Sequence, residues 1–120
     1  MAQFELLVED ITLETPDKFA KVLTFIGHLD ESNVDEQSKT IYDMIEKSSN
    51  LTLILDLGKL EYMNSKAIGY LTDWHEKISA KNGKIMIIKV PQNILDILKT
   101  VGITDFIKAY DTFEEAKNSI

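Results

Sequence analysis

The chain has 120 residues, 44% hydrophobic and 28% charged, with a formal net charge of −7 and no cysteine. That length and apolar content suit one domain with its own core, and the missing thiols exclude disulfides, thiolate metal sites and cysteine nucleophiles. The acidity disfavours a phosphate-backbone partner, and because every basic residue is a lysine, the arginine forks that read phosphate and guanine are absent, so nucleic acid is not an expected partner.

Residues 4–8 read as a short strand, Thr15-Pro16-Asp17 as a turn, and residues 19–25 as a second strand that ends in the glycine-containing break 26–30. Ser32 or Asn33 then caps a helix whose first turn holds Glu36 and Gln37. Val34, Ser38, Ile41 and Ile45 form its inner face. Asp35 with Lys39 and Asp43 with Lys47 supply outer i,i+4 pairs, each worth about 0.2–0.5 kcal/mol. After Ser48-Ser49-Asn50, residues 51–57 make the strongest strand, nearly continuous in apolar side chains as a parallel strand covered on both faces would be. Residues 58–63 read as a loop into a second helix that starts at Asn64-Ser65 and runs to about Lys81, with Ile68, Leu71, His75 and Ile78 inward. Asn82-Gly83 closes it.

Residues 84–90 are a buried-type strand, Pro91 opens a third helix that reaches about Val101, and Gly102 stops it. Residues 106–110 form the last strand, and Asp111 or Thr112 caps a terminal helix with Glu114 and Glu115 in its first turn. The order β-β-α-β-α-β-α-β-α predicts an α/β fold: a single domain over residues 1–120 with a mainly parallel or mixed sheet of about five strands and about four helices.

No apolar run approaches the roughly 18 residues of a membrane span, and residues 1–5 show no basic region or signal-type apolar stretch. A cytoplasmic location away from membranes is expected. Two histidines, His28 and His75, are too few for a histidine zinc site unless carboxylates complete it. His75 is expected to be hydrogen-bonded and partly buried, and His28 to face water. Tyr70 and Trp74, one turn apart, either cover the core edge or form an exposed patch. Ser65 has no base visible in the sequence, and there is neither a Walker-type loop nor a dinucleotide fingerprint. The chain therefore reads as a non-enzyme without a cofactor.

The most informative segment is 54–71, Ile-Leu-Asp-Leu-Gly-Lys-Leu-Glu-Tyr-Met-Asn-Ser-Lys-Ala-Ile-Gly-Tyr-Leu. A buried strand leaves through Asp56 and the chain enters a helix at Asn64-Ser65, on the carboxyl side of a sheet where functional loops collect. Here the chain resembles the STAS domain family, in particular its stand-alone anti-sigma-factor antagonists. Asp56-Leu57-Gly58-Lys59-Leu60 followed by Asn64-Ser65-Lys66-Ala67-Ile68-Gly69 is similar to the family's Asp-Leu-Ser-Gly-(apolar) and Asp-Ser-(Ser/Thr)-Gly-(apolar)-Gly. Gly27-His28-Leu29-Asp30, Asn82-Gly83 and Gly102-Ile103-Thr104-Asp105-Phe106 fall where the family has comparable steps. Asn64, Lys66 and Ala67 depart from the pattern; Ser65 and Gly69 keep it.

The resemblance implies a partner-switching regulator. Ser65 corresponds to the serine that a GHKL-type anti-sigma-factor kinase phosphorylates and a PP2C-type phosphatase restores. The unmodified protein would hold the anti-sigma factor and the phosphoprotein would release it. Asp30, Asp56, Tyr62, Met63, Asn64, Lys66, Ile68 and Gly69 are the expected partner-binding residues, and the protein itself a monomer or weak dimer. A phosphate adds about −1.5 to −2 charges, tolerated at a helix N-terminus but costly inside a packed interface. Lys66, beside it, is expected to pair with the phosphate and weaken the switch. The alternatives are that Ser65 is a helix-capping residue without regulation, and that the domain serves another complex, of lipid-transport or stressosome type, without serine phosphorylation. Asp30 is either a turn residue or a partner contact.

Overall fold

In the computed structural model, which describes residues 3–120, the chain runs β1 (Phe4–Ile11), β2 (Phe19–Leu29), α1 (Val34–Lys47), β3 (Leu51–Met63), α2 (Ser65–Ser79), β4 (Lys84–Ile88), α3 (Gln92–Thr100), a 3₁₀ turn (Ile103–Asp105), β5 (Lys108–Tyr110) and α4 (Phe113–Lys117). Met1 and Ala2, part of the stretch read above for a signal segment, lie outside the described residues. The sheet order is β1-β2-β3-β4-β5, with β1 antiparallel to β2 and all other neighbours parallel. This is the expected α/β architecture, with the opening ββ step supplying the antiparallel edge.

Alternating side chains divide the sheet into two faces. Leu23 and Phe25 of β2, Leu53 and Leu55 of β3, and Ile85 and Ile87 of β4 pack against Ile41 and Ile45 of α1, Leu71 and Trp74 of α2, and Ile94 and Leu98 of α3. Val22, Ile54, Met86 and Ile88 point the other way, onto Ala116 and Phe113 of α4. Covering on both faces is why residues 53–55 and 85–88 are uninterrupted apolar runs.

The structure departs from expectation mainly toward longer strands. β2 does not break at Gly27: its φ of +100° and missing Cβ let the carbonyl oxygen of Gln3 come in where a methyl would sit at 2.2 Å, and the His28 N–H donates to that oxygen at 2.9 Å. Residues 58–63 are not a loop but the second half of β3, paired with Ile26–Leu29 of β2 after a register shift. β5 begins at Lys108 because the chain makes the 3₁₀ turn first.

The buried stripe of α2 is Ala67, Leu71, Trp74 and Ile78, so Trp74 takes the inward place expected for His75. Trp74 is 1% exposed and lies edge-on to Phe25 and stacked on Tyr70. A buried indole needs an acceptor, and Ser38 of α1 provides it: Trp74 Nε1–H donates to Ser38 Oγ at 2.9 Å. That bond explains a serine on the otherwise apolar inner face Val34, Ile41, Ile45. His75, displaced sideways, rests on Phe106 with ring centroids 4.7 Å apart, and its Nδ1 is buried without a hydrogen-bond partner among the described residues, contrary to the expected hydrogen bond.

Ser38→Ala should cost about 1–3 kcal/mol, because it strands a buried donor. The readout is a lower urea midpoint at unchanged slope; an unaltered midpoint would mean that the indole has another acceptor.

Candidate functional site

The last residues of β3 lead directly into α2. Asn64 sits between them in extended backbone (φ −84°, ψ 174°), and its N–H donates to the Leu29 carbonyl oxygen at 3.1 Å. Its Oδ1 accepts from the Ala67 N–H at 2.9 Å and caps α2, while its Nδ2 donates to Glu31 Oε1 at 3.2 Å. Ser65 is therefore the first helical residue, exposed, at the positive end of the helix dipole. The capping bond belongs to Asn64, which leaves the Ser65 hydroxyl outside that role.

Facing it is the turn after β2. Asp30 accepts from the Ser32 hydroxyl at 2.7 Å and the Ser32 N–H at 2.9 Å, bonds that hold its carboxyl below the usual carboxylate range. Asn33 occupies the N-cap position of α1, but its side chain accepts from the Asp30 N–H at 3.1 Å and donates to the His28 carbonyl at 2.8 Å rather than capping the helix. Asp30 is thus a turn residue and also lines a groove at Ser65. This open groove of about 650 Å³ takes Asp30, Glu31 and Ser32 from the turn, and Tyr62, Asn64, Ser65 and Lys66 from the end of β3 and the start of α2.

Lys66 is held across the seam between α1 and α2. Its Nζ lies 2.9 Å from Asp35 Oδ1 and 3.0 Å from Oδ2, and the Tyr70 hydroxyl donates to the same Oδ1 at 2.6 Å. The Tyr70 hydrogen bond, with Lys66 behind it, lowers the Asp35 pKa, and the carboxylate in turn raises the pKa values of Lys66 and Tyr70. Asp35 faces α2 and not Lys39; neither expected i,i+4 pair on α1 forms an ion pair among the described residues.

Beyond the groove, Tyr62 is 48% exposed while Met63 is buried, and Ile68 is half-buried against the main core. Met63 therefore serves packing more than contact. Tyr62, Ile68, Ile94 and Ile97 surround a small apolar hollow of about 60 Å³. Gly69 is exposed, and a Cβ built on it meets nothing within 4 Å among the described residues. His28, expected to face water, spends part of its surface on Glu61, with Nε2 and Oε2 2.9 Å apart, and on the ring of Tyr62 at 6.0 Å.

Asp56 is not part of this cluster. It accepts from the Gly58 N–H at 3.0 Å and pairs with Lys89 at 3.5 Å. The rest of β3, residues 57–63, separates it from Ser65 by on the order of 20 Å of extended chain. An account in which Asp56 positions Ser65 fails, because the expected loop is strand. The sequence reading missed Glu31, Asp35 and Tyr70: each joins the site through a partner more than thirty residues away, which local spacing does not reveal.

A family model described as STAS domain matches residues 10–116. Among solved structures, an anti-sigma factor antagonist from Mycobacterium paratuberculosis superposes with a TM-score of 0.80 at 18% identity, covering 98% of this chain and 94% of that one. The anti-sigma factor antagonist SpoIIAA in its unphosphorylated form gives 0.75 at 20% identity, covering 98% and 95%. The Bacillus cell fate determinant SpoIIAA in the phosphorylated form gives 0.68 at 19% identity, covering 98% of each chain. At these identities the likeness is one of fold.

Asn64→Ala should destabilise the protein by about 1 kcal/mol through loss of the α2 cap, whereas Asn64→Asp should keep the cap. Thermal or urea unfolding reads the difference; equal loss in both variants would count against the capping role.

Proposed function

The chain belongs to the STAS domain family, and from that membership we propose that it is an anti-sigma-factor antagonist whose docking is controlled by phosphorylation of Ser65. The observation that carries this reading is the placement of Ser65: an exposed hydroxyl on the first turn of α2, not used for capping, at the rim of an open groove. The unmodified protein binds an anti-sigma factor across Ser65, Gly69 and Tyr62, and so frees the sigma factor. The same partner is the serine kinase, of GHKL type.

Phosphoryl transfer forms a bond between Ser65 Oγ and the γ-phosphorus of ATP and breaks the bond to ADP, while a base on the kinase takes the hydroxyl proton. A PP2C-type phosphatase hydrolyses the ester and returns the serine and inorganic phosphate. The scaffold tolerates the modification, because the α2 N-terminus favours an anion. The interface does not: a dianion packed against a partner without a countercharge loses several kcal/mol, and about every 1.4 kcal/mol is a factor of ten in affinity. Asp30 and Glu31, in the same groove, add repulsion.

Gly69 supports the docking role independently. Residues 65 and 69 are i,i+4 neighbours on the helix surface, and glycine inside an exposed helix costs about 0.5–1 kcal/mol relative to alanine. No contact among the described residues requires that glycine. A partner surface pressed onto the Ser65–Gly69 stripe accounts for it.

Incubation with the cognate kinase and ATP should place one phosphate on Ser65, found by mass mapping; Ser65→Asp should lower anti-sigma-factor affinity at least about tenfold while Ser65→Ala keeps it. A phosphate elsewhere, or equal binding by both variants, would point to a STAS module of another complex without serine phosphorylation. Gly69→Ala should raise stability by about 0.5–1 kcal/mol and weaken partner binding; a variant that is stabilised and binds as before would remove Gly69 from the docking surface.

A further inference from the structure

Lys66 follows Ser65 directly, yet consecutive residues on a helix point about 100° apart, so the two side chains do not face each other. The stripe of Ser65 continues to Gly69, and the stripe of Lys66 continues to Tyr70. The structure gives the second stripe a definite target. Lys66 Nζ and the Tyr70 hydroxyl both converge on the Asp35 carboxylate, at 2.9 and 2.6 Å to the same oxygen, with Lys66 also 3.0 Å from the other. Asp35 is itself fixed, because Val34 and Ser38 on the same helix are buried in the α1–α2 packing.

Among the described residues, Lys66 is the one cationic side chain lining the groove at Ser65, against Asp30 and Glu31. Its four-carbon stem would let the ammonium swing to a neighbouring phosphate. Asp35 gives it a partner on the far stripe instead. Resting on the reading of Ser65 as a phosphoacceptor, we propose that Asp35 is a regulatory positioning residue: it withholds Lys66 from the Ser65 phosphate, so that the modified site stays unneutralised and ejects its partner fully. The pairing of Lys66 with the phosphate expected from sequence adjacency is thereby suppressed, and the switch is sharp because of a residue on a different helix.

The test uses full-length protein with phosphoserine incorporated at position 65 during translation, which needs no kinase, and follows the second ionisation of the phosphate by ³¹P NMR. An opposite charge brought within about 4–6 Å lowers that midpoint. Asp35→Asn should release Lys66 and lower it by about half a pH unit or more, a roughly threefold change in the ionisation constant. Lys66→Met should leave the wild-type midpoint in place, and the double variant Asp35→Asn/Lys66→Met should return to it. In parallel, the loss of anti-sigma-factor affinity caused by the phosphate should be smaller in Asp35→Asn, by about threefold. If Lys66→Met alone raises the midpoint, Lys66 already pairs with the phosphate and the proposal is overturned; an Asp35→Asn midpoint equal to wild type overturns it as well. The Lys66→Met arm leaves Asp35 intact and decides the matter even if Asp35→Asn folds poorly. Should the midpoints behave as stated while Ser65→Asp still binds the anti-sigma factor normally, the proposed function fails, and with it the regulatory role, and only the withholding of Lys66 from the phosphate by Asp35 stands.

Discussion

Past Asp56, β3 has left β4 behind and is held by β2 through the pairs Ile26–Lys59, Gly27–Leu60, His28–Tyr62 and Leu29–Met63. The Asn64 N–H bond to the Leu29 oxygen adds one further tie at the end of this ladder. Because backbone hydrogen bonds fix register, the end of β3 and the end of β2 must finish side by side. Ser65 and the Asp30–Ser32 turn follow those two ends, so they meet without any direct bond between them. The groove is a consequence of strand pairing, and Gly27 is the residue that allows β2 to continue far enough to support it.

α2 then has to satisfy three demands with one helix. Its inner stripe of Ala67, Leu71, Trp74 and Ile78 anchors it to the sheet. The stripe of Lys66 and Tyr70 fastens it to α1 through Asp35. The remaining surface, Ser65 and Gly69, is exposed and makes no packing commitment among the described residues. The Trp74–Ser38 bond and the Asp35 cluster both join α1 to α2. Exposed ion pairs contribute little stability each, and the fastening at Asp35 matters for where a charge is held more than for how tightly the helices pack.

Charge sets the character of the site. A chain with net charge −7 presents two carboxylates at the groove beside Ser65 and keeps the local lysine occupied. Such a surface favours a partner with a basic face, and it would offer little relief to the dianion proposed at Ser65. The helix dipole of α2 would favour the phosphate proposed for Ser65 within the protein. Under the proposed function, scaffold stability and partner affinity would therefore respond differently to one modification.

By itself the sequence determined the order of elements, the two-sided covering of β3 and β4, the inner face of α1 and the position of Ser65 at a helix start. Each of these follows from local periodicity, capping chemistry or a short motif, which need no knowledge of distant residues. Tertiary structure decided the rest. Residues 58–63 carry polar and glycine residues that read as loop, yet they are strand because β2 offers an edge to pair with. Trp74 displaces His75 from the core because Ser38 stands opposite as acceptor. Asp35 chooses Lys66 over Lys39, and Asp56 falls away from the site, because side chains more than thirty residues apart in the chain are brought to contact by helix packing and strand length. Local pattern encodes which face of an element is apolar; what that face meets is fixed when the elements assemble.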